Sequence, residues 1–223
     1  MLLTTACLSC HKGALFAFEC LSSRLGLLFE PYVIDIVPIL LKSFSDSSSS
    51  VRSAADGTAR AIMKNLSAHG VKLVLPSLLS SLNDPQWRTK QAAIQLLGSM
   101  AYCAPRQLSS CLPQIVPKLT DAFTDTHPKV REAGKASLSD IASVVRNPEV
   151  AQLSPKLLAA LCDPSEHTNS ALQALQDTSF VHSIDAPSLA LIVPILNRGL
   201  RERGTDVKKK AALIVGNMCS MIR

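Results

Sequence analysis

The chain has 223 residues, a formal net charge of +6 and 47% hydrophobic but only 4% aromatic side chains. Its apolar fraction is near the globular average, and its 9 glycines and 13 prolines are too few for a collagen-like or linker-like protein. No apolar run reaches the roughly 18 residues of a membrane-spanning helix. A core built from Leu, Ile, Val and Ala favours helices over sheets.

The first ten residues are apolar but lack the composition of a signal peptide. No basic residue precedes the apolar stretch, and the polar Thr4, Thr5 and Ser9 interrupt it. We therefore expect no export signal and interpret the segment as a helix from within a longer chain.

Seven cysteines at irregular spacings lie in apolar neighbourhoods: Cys7, Cys10, Cys20, Cys103, Cys111, Cys162 and Cys219. Their odd number favours reduced, buried thiols of a cytoplasmic protein over a disulfide framework. Cys7 and Cys10 form a single CxxC pair, and a structural zinc site would need a second pair within reach. We predict no metal site and no cofactor.

Prolines recur along the chain at intervals of 38, 41, 38 and 39 residues, at Pro38, Pro76, Pro117, Pro155 and Pro194. Eight residues after each proline stands an acidic residue: Asp46, Asp84, Asp125, Asp163 and Glu202. Next comes a hydrophobic–basic pair, in the order Val51-Arg52, Trp87-Arg88, Val130-Arg131 and Val207-Lys208; the fourth unit has Thr168-Asn169 instead. Agreement at three positions predicts a repeat protein.

We expect a partial unit over 1–30 and repeats over 31–70, 71–105, 106–148, 149–185 and 186–223. In the first full unit, Ile34, Val37, Leu40, Leu41 and Phe44 follow the spacing of one helical face. A second apolar stripe begins at Val51 after the serines 47–50, which supply capping oxygens, and Gly70 is expected to end that helix. The pattern therefore predicts two helices in each unit, with the proline inside the first.

The recurring charges predict a structural ladder. A carboxylate in the turn can accept backbone N–H bonds at the start of the second helix, and the following arginine can reach the carboxylate of the adjacent unit. The residues of this expected ladder are Asp46, Arg52, Asp84, Arg88, Asp125 and Arg131. The alternative is a set of independent, solvated surface charges.

A helix pair of about 39 residues, with proline in the first helix, Asp in the turn and Val-Arg opening the second, resembles the HEAT repeat. The resemblance covers about residues 31–223 and implies an all-α fold, a right-handed α-solenoid of about five helical pairs plus a partial N-terminal unit.

Longer strings resemble one family in particular: 11–20, 65–72, 87–90, 101–105, 180–182, 186–194 and 216–219. They are similar to the central HEAT region of the general-control non-derepressible translational activators, which itself resembles fungal elongation factor three. The resemblance implies an excerpt of a much longer solenoid that binds ribosomes and supports the starvation-responsive protein kinase of initiation factor two alpha. It also implies an ABC-family ATPase partner. Apolar residues at both ends agree with an excerpt.

Nothing in the sequence predicts catalysis. The chain has no GxxxxGK[ST], HExxH or GxSxG motif, and its five histidines lie in different units. We expect a non-catalytic scaffold with neither a membrane contact nor a small-molecule substrate. The alternative is a HEAT-type peptide- or protein-binding scaffold of the nuclear-transport or phosphatase-scaffold kind. Such a scaffold would have an acidic or Trp/Asn-lined concave face, whereas this chain is net basic and has a single Trp.

Two groups of residues are candidates for partner or ribosome binding. The first lies around the last inter-helix turn and can contact either the phosphates of ribosomal RNA or an acidic ribosomal protein: Arg198, Arg201, Arg203, Lys208, Lys209 and Lys210. Ordinary solvation of a charged loop is the alternative reading. The second is Trp87 with Arg88 and Lys90, because Trp and Arg dominate binding hot spots. Packing of Trp87 at the repeat interface is the alternative there.

Overall fold

The computed structural model describes residues 8–221, which form eleven α-helices and one turn of 3₁₀ helix, Gly26–Phe29. The first six α-helices are α1 Leu8–Leu25, α2 Glu30–Ser43, α3 Ser49–Asn65, α4 Ala68–Ser81, α5 Trp87–Cys103 and α6 Pro105–Ala122. The remaining five are α7 Pro128–Ala142, α8 Pro148–Cys162, α9 Pro164–Asp177, α10 Ala186–Arg201 and α11 Thr205–Cys219.

Even-numbered helices contain the repeated prolines, and each packs against the odd-numbered helix that follows it. From α1 to α7 the helices form two layers, with α1, α3, α5 and α7 in one and α2, α4 and α6 in the other. The fold is an all-α solenoid, as the repeats predict, in which each unit stabilises its neighbours.

The core is a continuous aliphatic seam between the layers. Two residues after each repeated proline stands a buried leucine, at Leu40, Leu78, Leu119, Leu157 and Leu196. Val51 and Val130, which begin the hydrophobic–basic pairs of the first and third units, are fully buried. Because these buried positions recur in the repeat, each unit contributes an equivalent apolar face to the core that it shares with its neighbour.

Two details of the first unit differ from the sequence prediction. Ile34 is 37% exposed, and Val33 and Ile36 face the core instead. Gly70 does not end α3, which stops at Asn65; it lies in the first turn of α4. Close packing explains why this position is a glycine. A methyl group at residue 70 would lie 2.7 Å from Glu30 Cδ and from Leu66 Cδ1.

The fourth unit departs from the regular stack. Asp163 alone separates α8 from α9, whereas five residues separate α2 from α3, and the longer segment 178–185 then leads to α10. In the described part of the chain α7 and α9 do not pack side by side, and α10 packs against α6 as well as α8. A shortened turn thus moves this pair out of register with its neighbours.

The cysteines are less buried than the sequence analysis expected. Cys111 is buried and Cys162 half-buried, but Cys10, Cys20 and Cys219 are exposed. They are exposed because their helix faces point away from the seam, although their sequence neighbours are apolar. Burial raises the pKa of the Cys162 thiol. Cys7, the side chain of Cys103 and the apolar start of the chain lie outside the described residues.

No described helix is long and apolar enough to cross a membrane.

Candidate interaction surface at the inter-helix turns

Three of the turns that join an even helix to the next odd helix contain an aspartate whose carboxylate accepts a backbone N–H at the start of the second helix. Asp46 Oδ1 accepts a hydrogen bond from the backbone N–H of Ser48 (2.8 Å), and Asp84 Oδ1 accepts one from Gln86 (2.7 Å). Asp125 Oδ1 accepts one from His127 (2.9 Å). Each carboxylate thus holds the N-cap residue of α3, α5 or α7, where the helix dipole also favours negative charge.

Two of the three arginines of the expected ladder, Arg52 and Arg131, contact their own turn. Arg52 Nη1 donates to the carbonyl oxygens of Asp46 (2.7 Å) and Ser47 (2.8 Å), and Arg131 Nη1 donates to those of Asp125 (2.8 Å) and Thr126 (3.0 Å). The prediction that these arginines reach the carboxylate of the adjacent unit is wrong. Turn carbonyls lie within reach of a guanidinium one helical turn later, so the local acceptors are used first.

Other cations make the contacts between units. Lys90 Nζ lies 2.7 Å from Asp125 Oδ2, and Lys135 Nζ lies 3.4 Å from Asp163 Oδ2. His11 Nδ1 lies 3.6 Å from Asp46 Oδ2. In all three contacts the lysine or histidine belongs to the odd helix that precedes the carboxylate's own unit.

The Lys90–Asp125 pair is the most enclosed of these contacts. The exposed fraction is 24% for the Lys90 side chain and 12% for that of Asp125. The hydrogen bond from Lys90, together with the backbone N–H of His127, holds the pKa of the Asp125 carboxyl below its ordinary value. Lys90 was a candidate for partner binding, but its charge is already used inside the fold.

Trp87 is half-buried and stacks on the imidazole of His127 in the next unit. The two ring centroids are 3.9 Å apart and the planes differ by 8°. The Arg88 guanidinium lies 4.6 Å and the Lys129 ammonium 5.5 Å from the indole centroid. Because His127, Arg88 and Lys129 cover the indole, Trp87 packs at the repeat interface, and the exposed Arg88 and Lys129 form the outer surface.

His127 and Lys129 were not among the predicted site residues. His127 stands two residues after the acidic residue of its unit, and Lys129 immediately precedes Val130. The one available signal was that Trp87 stands where other units have a valine. An indole at that position packs well against a flat side chain such as an imidazole.

The basic cluster at the α10–α11 turn divides into engaged and free side chains. Arg198 Nη1 donates to the carbonyl oxygen of Ala160 (3.2 Å), and Lys210 Nζ donates to Gln173 Oε1 (2.8 Å). The other four, which form no ion pair with any described residue, are exposed: Arg201, Arg203, Lys208 and Lys209. Within this cluster, the candidates for partner binding are therefore these four cations.

At the opposite ends of the helices, Glu30 and Glu149 each hold a loop between two units against the unit that precedes that loop. Glu30 accepts hydrogen bonds from the backbone N–H (2.8 Å) and hydroxyl (2.6 Å) of Ser67. Glu149 Oε1 accepts bonds from the backbone N–H groups of Val181 and His182 and from the His182 ring (2.6 Å). The ring contact holds the pKa of Glu149 below its ordinary value. Both glutamates lie in the first turn of an even helix.

The described residues contain no group of three or more His, Cys, Asp or Glu side chains that could hold a metal ion. The α10–α11 turn presents exposed positive charge, which attracts anions electrostatically.

Two family models match the chain. The one described as EF3 N-terminal HEAT repeat matches residues 9–138, and the one described as Elongation factor 3/GNC1 HEAT repeat matches residues 166–223. The chain belongs to the EF3 HEAT-repeat family. The helical pairs described above are therefore HEAT repeats, and the resemblance inferred from the sequence is confirmed.

Several curated relatives share this region of the HEAT family. The chain is 61% identical to Protein ILITYHIA of Arabidopsis thaliana over 218 residues, and 60% identical to the human Stalled ribosome sensor GCN1 over 211 residues. It is 56% identical to the eIF-2-alpha kinase activator GCN1 of Dictyostelium discoideum over 211 residues. Each match covers 95% of this chain and 8% of the relative, so the chain spans a small part of these proteins' length.

Proposed function

We propose that this HEAT array is a non-catalytic scaffold segment of translational control. Relatives are named as a stalled ribosome sensor and as an activator of the eIF-2-alpha kinase, and the chain is 60% and 56% identical to them over 95% of its own length. In this role it binds ribosomes in the cytoplasm and helps the starvation-responsive kinase respond to translational state. An ABC-family ATPase is a further partner, supported by the similarity to elongation factor 3.

We also propose that the array is divided as the proline period suggests, into a partial unit over 1–30 and repeats over 31–70, 71–105, 106–148, 149–185 and 186–223. The pairing of α2 with α3, α4 with α5 and so on to α11 supports five successive units, although α4 begins at Ala68, before the 70/71 boundary.

The observation that carries ribosome binding is the unpaired charge of Arg201, Arg203, Lys208 and Lys209. These exposed side chains lie around one turn, and neither Glu202 nor Asp206 pairs with them among the described residues. Cations in such a position neutralise phosphates and release condensed counterions, which makes binding strong at low salt and weak at high salt. Ribosomal RNA is the anionic surface that we propose they contact.

Co-sedimentation of the chain with ribosomes across a salt series tests this function. We expect charge reversal at all four positions (Arg201→Glu, Arg203→Glu, Lys208→Glu, Lys209→Glu) to weaken binding at least tenfold. If all four contact phosphates, the slope of log affinity against log salt falls by about 3 to 4.

A matched control reverses four exposed cations elsewhere: Arg24→Glu, Lys72→Glu, Arg106→Glu and Lys156→Glu. It has the same net charge and should bind within about twofold of the unmodified chain. Equal loss in both variants would show a response to net charge alone. No binding at low salt by the folded chain would refute the direct contact.

A further inference from the structure

A cleft of about 650 Å³ opens between α3 and α5 in the layer of odd helices. Its floor is apolar, formed by the buried Met63, Ala92 and Leu96, with the half-buried Phe44 at its base. Its walls are polar, with Arg60 and Lys64 on α3 and Gln95 on α5 exposed to solvent. An apolar floor between polar rims is the arrangement of a recognition groove.

The cleft exists because α3 and α5 each pack tightly against their other neighbour. A methyl group at Gly98 of α5 would lie 2.8 Å from Ser137 Oγ of α7, and Ser137 donates a hydrogen bond to the carbonyl oxygen of Ile94 (2.8 Å). On the other side, the Thr58 hydroxyl of α3 lies 2.9 Å from the carbonyl oxygen of Leu15 in α1. The small and hydroxyl-bearing residues therefore close the outer interfaces, and longer side chains line the space between α3 and α5.

Charge is distributed unevenly along this cleft. Asp56, Arg60 and Lys64 succeed one another at four-residue intervals on the α3 wall. Asp56 is paired with Arg60, whereas Lys64 has no acidic partner among the described residues. The α5 wall is uncharged, with Gln95, Ser99 and Tyr102. An occupant with a carboxylate toward the Lys64 end is therefore electrostatically matched, and one with a cation there is repelled.

We propose that the cleft binds an amphipathic α-helix of a partner protein, with its apolar stripe on the Met63–Leu96 floor and an acidic flank along Lys64. A helix satisfies its own backbone hydrogen bonds, whereas an extended peptide needs partners along its length. The cleft offers no strand edge that could supply such partners in series, because both walls are helices, and the Ser99 hydroxyl already donates to the carbonyl oxygen of Leu96. Met63 adds an adaptable surface for aliphatic anchors spaced i, i+3, i+4 and i+7.

This inference deepens the proposed scaffold role, since it names a class of partner. The cleft is lined by residues other than the four turn cations, so an experiment can refute helix binding in the cleft without refuting ribosome binding at the turn, and the reverse.

The probe is a fluorescein-labelled 16-residue peptide with leucines at i, i+3, i+4 and i+7 and glutamates along one flank. One comparison peptide has lysines on that flank, and another has the leucines rearranged so that no stripe forms. Fluorescence anisotropy with the full chain should give saturable binding of the glutamate peptide, at least tenfold tighter than either comparison. Equal affinity for all three peptides, or no saturable binding, would overturn the proposal.

Two substitutions place the binding in the cleft. Gln95→Trp fills it from the α5 wall and should weaken binding at least tenfold, whereas Gln114→Trp on the exposed face of α6 should change it less than twofold. Lys64→Glu should remove or invert the preference for the glutamate peptide, and Lys72→Glu on α4 should preserve it. Unchanged affinity in Gln95→Trp would refute the assignment.

Thermal denaturation checks that each variant is folded, and ribosome co-sedimentation of Gln95→Trp keeps the two proposals apart. Peptide binding lost with ribosome binding intact supports the cleft. Peptide binding in a chain that does not bind ribosomes leaves the cleft proposal standing and removes the turn proposal.

Discussion

The ammonium of Lys90 lies 2.7 Å from the Asp125 carboxylate of the next unit, and that carboxylate also caps the helix on which the next unit's packing depends. The Asp125 carboxylate thus makes one contact within its own unit and one between units. Oδ1 accepts a hydrogen bond from the backbone N–H of His127, and Oδ2 accepts one from the Lys90 ammonium.

Removing the lysine should destabilise the solenoid. Lys90→Met keeps the length of the side chain but leaves a largely enclosed carboxylate with one partner fewer, so we expect a loss of about 1–2 kcal/mol in the free energy of unfolding. Urea denaturation measures it. Lys72→Met, at an exposed position on α4, is the control and should change the free energy by less than about 0.5 kcal/mol. Equal stability of the two variants would show that the pair contributes nothing.

The same pair should make stability depend on pH in the acid range. The pKa of Asp125 is lowered from 3.8 in the folded state, so the folded chain binds fewer protons than the unfolded one. The stabilisation is therefore complete above the unfolded pKa and is lost as the pH falls through the folded one.

We expect the stability difference between the unmodified chain and Asp125→Asn to be constant near pH 6 and to shrink below about pH 4. Denaturation curves at a series of pH values measure this difference. A difference that is the same at pH 3 and pH 6 would contradict the assignment.

Gly98 should be intolerant of a side chain. A methyl group there would meet Ser137 Oγ at 2.8 Å and the Ser137 Cα at 3.1 Å, so Gly98→Ala must separate α5 from α7. We expect it to cost about 1–3 kcal/mol in thermal unfolding. Gly216→Ala in α11 is the matched control, because nothing lies within 4 Å of the added methyl and alanine favours a helix. That variant should be as stable as the unmodified chain or more so.

Glu149 should control the order of the segment between α9 and α10. Its carboxylate accepts the backbone N–H groups of Val181 and His182, so Glu149→Gln, which removes the charge, should loosen this segment. Hydrogen exchange of these two amides should become at least threefold faster. Glu166→Gln, an exposed position in the first turn of α9, should not affect them. Unchanged exchange in Glu149→Gln would show that the segment is held by other contacts.

Much of the repeat unit could be predicted from residues close together in the chain. Proline, acidic residue and hydrophobic–basic pair lie within about fifteen residues of one another, and the interactions that they control, such as the Asp46 to Ser48 cap, are equally local. The apolar seam follows from helical periodicity. The predicted buried face of α2 nevertheless included Ile34, which is exposed. The free cations at Arg201, Arg203, Lys208 and Lys209 were also among the predicted site residues.

The contacts between units could not be predicted in the same way. Arg52 and Arg131 were expected to reach a neighbouring carboxylate, but their own turn carbonyls are nearer. The stacking of Trp87 on His127 joins residues 40 positions apart, and nothing in their local sequence specifies the meeting.

By itself, then, the sequence determined the helices, their pairing and the family, because capping and amphipathic burial act within a single unit and recur in every one. The tertiary structure decided which cation meets which carboxylate, how α10 comes to pack on α6, and where the cleft between α3 and α5 opens. These features depend on the rotation and spacing of whole helices. Rotation and spacing are set by residues such as Gly98 and Ser137, which lie about forty residues apart and meet only when the units have stacked.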